Sequence, residues 1–178
     1  MLFRTHFVLA LLSAAGLGIY GTFPIQPSDT VTAIPNYKDT TLMGKVVGIT
    51  DGDTFRLFLA DSSVVRIRIA SIDCPERKQP FSTRAKQFTS DAIFSKQVRL
   101  AVQSKDRYGR YIAEVFYDQK NLGQELLRNG MAWHYVRYSS DPYLQQIEDG
   151  ARAHKVGLWS AKDPIPPWEW RKGKRTSR

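Results

Sequence analysis

The sequence predicts a mainly β member of the α+β class, a five-stranded barrel of the OB type carrying about three helices. Short strand-like segments follow one another through tight turns, which favours antiparallel meandering over a parallel sheet with long crossovers. Helical periodicity is confined to three later stretches, and no internal repeat extends the pattern.

The stretch from Leu42 to Thr50 is rich in valine, glycine and isoleucine and runs into Asp51-Gly52, a strong turn dipeptide; Thr54 to Leu59 then returns as a second strand. Past the turn at Asp61-Ser62-Ser63, Val65, Ile67 and Ile69 alternate with Arg66, Arg68 and Ala70, the period of a half-buried strand. Phe81, Ala85, Phe88 and Ala92 recur at helical spacing, so residues 82–94 are expected to form an amphipathic helix lying on the sheet. Strands near Val98 to Gln103 and Tyr111 to Tyr117 bring the number to five. A helix over residues 121–129 presents Leu122, Leu126 and Leu127 and stops at Gly130. The last helix opens on Asp141-Pro142, a cap followed by proline at the first helical position, and is expected to end at Gly157.

With 178 residues, 42% of them hydrophobic, the chain can bury one compact core, which is expected over residues 42–161. A net charge of +9 favours an anionic partner and argues against an acidic scaffold, without separating nucleic acid from an acidic membrane surface. The single cysteine, Cys74, excludes an intrachain disulfide and a cysteine-rich zinc site, and His6, His134 and His154 show no ligand spacing. A start bearing Arg4 precedes an apolar run from Phe7 to Phe23. Residues 1–23 therefore read as a signal peptide that exports the chain to the periplasm or medium, or as an uncleaved membrane anchor. Residues 24–41, with Pro24, Pro27 and Pro35, read as a linker; residues 162–178 read as a basic tail containing proline and tryptophan, either solvated or folded back on the barrel. Nothing signals oligomerisation, so a monomer is expected.

Hydrolysis of a phosphodiester requires charge neutralisation at the phosphorus oxygens, a positioned water and, preferably, a metal held by hard oxygen ligands. Asp51-Gly52-Asp53-Thr54, the run from Arg68 through Asp73-Cys74-Pro75-Glu76, and Asp106-Arg107-Tyr108-Gly109-Arg110 offer all three. An EF-hand starting at Asp51 fails, because Arg56 stands where the loop requires glycine and Ser62 where it requires the bidentate glutamate. Taken singly these residues have ordinary explanations. Asp51 and Asp53 suit a turn, Arg68 shares a strand face with Arg66 that could be solvated, and Asp73 and Glu76 could be exposed turn carboxylates.

In combination, the three segments resemble the signature segments of the staphylococcal nuclease family, in order and at suitable separation, over about Gly44 to Trp159. The resemblance implies an OB-type barrel with three helices, one calcium ion, and cleavage of DNA and RNA with attack on the 5′ side of the phosphate. By position it implies Asp53 and Asp73 as side-chain calcium ligands and the backbone carbonyl of Cys74 as a third, with Glu76 as general base and Arg68 and Arg110 as the arginines that bind the phosphate. Tyr108 falls on a nucleotide-binding tyrosine, and Tyr138, in the loosely matching stretch Trp133 to Tyr138, is the candidate for base stacking. Cys74 departs from the family, whose founding member has threonine there, but only its carbonyl is needed. Two other readings stay open: an OB module that binds nucleic acid without cutting it, and a membrane-tethered basic adaptor. Neither needs Asp53, Asp73 and Glu76 together.

Overall fold

The computed structural model describes residues 41–173. The expected signal or anchor over residues 1–23, the linker up to residue 40, and the tail from residue 174 lie outside the described residues.

Within them the order is β1 (Thr41–Ile49), β2 (Thr54–Leu59), β3 (Val64–Ile69), β4 (Ile72–Asp73), α1 (Ser82–Ile93), β5 (Gln97–Lys105), β6 (Tyr111–Tyr117), β7 (Lys120–Asn121), α2 (Leu122–Arg128), β8 (Trp133–His134), α3 (Pro142–Ala153), a 3-10 turn (Gly157–Ser160) and α4 (Pro167–Trp170). The five long strands pair in the order β3-β2-β1-β5-β6, and β3 also pairs in parallel with β6, so the sheet closes into the expected barrel. Closure sets Arg68 opposite Ile112, two residues beyond Arg110.

Alternation within the strands fills the barrel. Val46, Phe55, Leu57, Ile67, Leu100 and Val115 are buried, and Leu122, Leu126 and Leu127 of α2 join the same core. The helix α1 puts Ala85, Thr89 and Ile93 inward. Asn121 begins α2 by accepting a hydrogen bond from the amide of Gln124, and Asp141 begins α3 by accepting one from the amide of Tyr143.

The last helix is shorter than its periodicity suggests. It ends at Ala153, and left-handed backbone at Lys155 and Gly157 turns the chain into the 3-10 segment. The cause is contact between two backbones. The amide of Leu158 donates to the carbonyl of Gly130 at 2.9 Å, and a Cβ on Gly130 would lie 2.1 Å from the carbonyl oxygen of Val156. Continuing the helix to Gly157 would break this junction between the ends of α2 and α3.

Candidate active site

The bend between β1 and β2 does more than reverse the chain. Gly52 lies so close to α1 and β4 that an added Cβ would meet the Cβ atoms of Ala85 and Cys74 at 2.9 Å, and its backbone is not left-handed. Close approach, rather than turn geometry, therefore requires this glycine. The buried hydroxyl of Thr89 donates to the Gly52 carbonyl at 2.5 Å, tying the bend to α1. Asp51 accepts from the amide of Asp53 at 3.1 Å. Asp53, itself buried, accepts from the amide of Cys74 at 2.7 Å and from the Thr54 hydroxyl at 3.2 Å.

Asp73 is placed by a two-residue ladder in which Ile72 faces His134 and Asp73 faces Trp133. The amide of Tyr135 adds a hydrogen bond to the carbonyl of Ser71 at 2.9 Å. This short second sheet brings the stretch from Trp133 to Tyr138 to the acids, a proximity with no signal in the local sequence.

Arg68 joins the two aspartates. Its Nη1 lies 3.1 Å from Asp53 Oδ2 and its Nη2 donates to Asp73 Oδ1 at 2.8 Å, with only 13% of the side chain exposed. The outer face of β3 is thus solvated at Arg66 but covered at Arg68. Arg110 approaches from the start of β6. Its Nε donates to Asp106 at 2.8 Å and its Nη1 reaches the Thr54 hydroxyl at 3.5 Å, next to Asp53. The same Asp106 accepts from the amides of Tyr108 and Arg110, both at 2.9 Å, and shapes the loop that projects Tyr108.

These groups line one cleft of about 1410 Å³, which holds Asp53, Arg68, Asp73, Cys74, Glu76, Tyr108, Arg110 and Tyr138. Tyr108 and Tyr138 are 57% and 69% exposed at its walls, as aromatic groups available for stacking would be. Two participants escaped the sequence reading. Gln79, buried, accepts from the Glu76 amide at 2.9 Å, while Arg171 pairs with both Asp73 and Glu76. Neither belongs to a recognisable motif, and Arg171 sits in a stretch read as a basic tail, either solvated or folded back on the barrel, with no role at the acids.

The carboxylates are crowded. Burial, reinforced by the charge of Asp53 and a hydrogen bond with it, pushes the Asp51 carboxyl from 3.8 up to about 7. Burial also raises Asp73, although Arg171 and Arg68 oppose the rise. Carboxylate oxygens held close together and away from water are hard donors of the kind that suits a divalent cation such as calcium. The Cys74 thiol, fully enclosed, is pushed well above its usual value by burial, so it stays protonated and only its backbone carbonyl is a suitable donor. Among the described residues no three acidic, histidine or cysteine side chains converge as a metal cluster.

A pH dependence follows for Asp51. Below pH 3.8 the group is protonated folded or unfolded; between 3.8 and about 7 only the folded state keeps the proton, so the stability this contributes falls across that window and is gone above about 7. In calcium-free buffer, Asp51→Asn is expected to unfold several degrees above the parent at pH 8, with the gap closing towards pH 4, as thermal melts across the range would record.

Residues 66–161 match the family model described as "Staphylococcal nuclease homologue". An "Uncharacterized endonuclease" of Haemophilus influenzae is 41% identical over 128 residues, covering 72% of this chain and 72% of that protein. A "Micrococcal nuclease" of Shigella flexneri is 32% identical over 158 residues, covering 83% and 89% respectively. The "Staphylococcal-like nuclease CAN1" of Arabidopsis thaliana is 39% identical over 110 residues, 62% of this chain but only 34% of the plant protein. Because the model match spans more than half the sequence and takes in Arg68, Asp73, Glu76 and Arg110, while the bend with Asp53 closes the same cleft, the chain belongs to the staphylococcal nuclease family.

Proposed function

We propose that this protein is a calcium-dependent endonuclease that hydrolyses phosphodiester bonds in both DNA and RNA. The observation that carries the reading is the convergence in one cleft of the Asp53–Arg68–Asp73 bridge with Glu76 and Arg110. A site built only to bind nucleic acid gains nothing from burying two aspartates beside its phosphate-binding arginines, because they repel the phosphate.

Asp53, Asp73 and the carbonyl of Cys74 would hold calcium, which when bound supplies positive charge against the phosphate oxygens. Arg68 and Arg110 place positive charge beside those oxygens and stabilise the negative charge that grows on them. Glu76, at the cleft edge, takes the proton of the attacking water. Tyr108 and Tyr138 stack against the sugar-base units on either side, which is tolerant of sequence because every base has a π face. Export through residues 1–23 and action as a monomer complete the proposal; N-terminal sequencing and sedimentation of the secreted protein check them.

The deciding experiment uses the purified protein with single-stranded DNA and with RNA, titrated with calcium and then with excess chelator. Cleavage of both that stops on chelation is expected. Undiminished cleavage in chelator removes the calcium role, and binding without cleavage favours the non-catalytic module.

A further inference from the structure

The segment that follows the matched region does not leave the barrel. Gln79 donates from Nε2 to the carbonyl of Ile165 at 2.6 Å, Pro167 is buried, and Trp168 stacks on Tyr135 with the ring planes 3° apart and the centroids 5.4 Å apart. Three contacts of different kinds thus dock residues 165–168 beside the cleft. They deliver Arg171, whose Nη2 donates to Asp73 Oδ2 at 2.9 Å and whose Nη1 donates to Glu76 Oε1 at 2.5 Å. Both oxygens of Asp73 are then engaged, Oδ1 by Arg68 and Oδ2 by Arg171. One face of Tyr135, in the stretch that bears the stacking tyrosine, is covered as well.

We propose that residues 164–171 are a self-inhibitory strap, in which Arg171 competes with the divalent cation for Asp73 and ties up Glu76 until cation and substrate displace it. The proposal rests on the calcium and Glu76 roles advanced above. A guanidinium and a calcium ion cannot both hold the same carboxylate oxygen. Of the two arginines on Asp73, Arg68 is fixed in the barrel wall at 13% exposure, whereas Arg171 is 42% exposed on a short segment and is the one that can leave at small cost. The strap follows the 3-10 turn Gly157–Ser160 and contributes no strand to the barrel.

The full chain and its Arg171→Ala and Trp168→Ala variants are compared by calorimetric calcium titration without nucleic acid, and by cleavage rate against calcium concentration. Removing an ion pair of this exposure is expected to tighten calcium binding roughly 3- to 10-fold in Arg171→Ala. Half-maximal cleavage should move to correspondingly lower calcium, with kcat at saturating calcium no lower than in the parent. Trp168→Ala, which loosens the strap without touching the acids, should shift both curves the same way by less. Calcium affinity unchanged in both variants overturns the strap while leaving the calcium reading intact. A lower kcat with unchanged calcium affinity in Arg171→Ala would instead make Arg171 a positioning residue for Glu76. A parent protein that cleaves yet shows no calcium binding overturns both readings.

Discussion

Glu76→Gln is expected to lower the cleavage rate by about 10²- to 10⁴-fold, the usual contribution of a positioned general base. Glutamine keeps the size and one acceptor oxygen but cannot take a proton from water. Arg68→Ala and Arg110→Ala are each expected to cost about 10²- to 10³-fold, because each removes positive charge from the cleft in which negative charge grows in the transition state. The three variants should separate by stability. Glu76 is partly exposed and makes its side-chain ion pair with the strap, so its replacement should barely move the melting temperature. Arg68 lies between two buried carboxylates, and its loss should destabilise the metal-free fold while calcium offsets part of the damage. Single-turnover rates and thermal melts on the same preparations make the comparison, and near-parental rates in all three would remove the proposed roles.

The second large effect concerns Asp73. Asp73→Asn preserves the shape of the side chain but leaves Arg68 with Asp53 alone, inside a site where the guanidinium is mostly withdrawn from water. Because burial raises the Asp73 carboxyl, its charge is held at a cost in the metal-free fold; the neutral isostere removes that cost as it weakens the pair with Arg68, so the calcium-free melting temperature is expected to stay within a few degrees of the parent. The larger consequence is for calcium. Parental protein should gain melting temperature as calcium is added, in proportion to the logarithm of its concentration above the dissociation constant. Asp73→Asn should show almost no gain. A full calcium response in this variant would remove Asp73 from the ligand set.

Much of the barrel was legible in residue order alone. The alternation of Val65, Ile67 and Ile69 with arginines, the helical spacing through Ala85, and the Leu122, Leu126 and Leu127 set each reappear as the buried faces of β3, α1 and α2 or their close neighbours. Such patterns are readable because strand and helix periods decide which side chains share a face, whatever the rest of the chain does. Where the last helix stops was not readable in this way. Close backbone contact between Gly130 and the Val156–Gly157 turn, far apart in sequence, ended it at Ala153.

The candidate site divides along the same line. Residue types and order along the chain determined which acids, arginines and tyrosines are available for phosphodiester chemistry, since charge, donor geometry and ring faces belong to single side chains. Tertiary structure alone decided which side of each ordinary explanation applies. Arg66 and Arg68 share a strand face, yet one meets solvent and the other two aspartates, because β4 and the bend pinned by Thr89 cover only the end of β3. The pairing of β4 with β8 set Trp133 opposite Asp73 and Tyr135 in the wall of the same cleft, and the docking of α4 carried Arg171 across 98 residues to the Asp73 carboxylate. Composition shows a basic tail; only packing through Ile165, Pro167 and Trp168 brings one of its arginines onto Asp73 and Glu76, because the energy of an ion pair depends on where two charges meet and how much water remains between them.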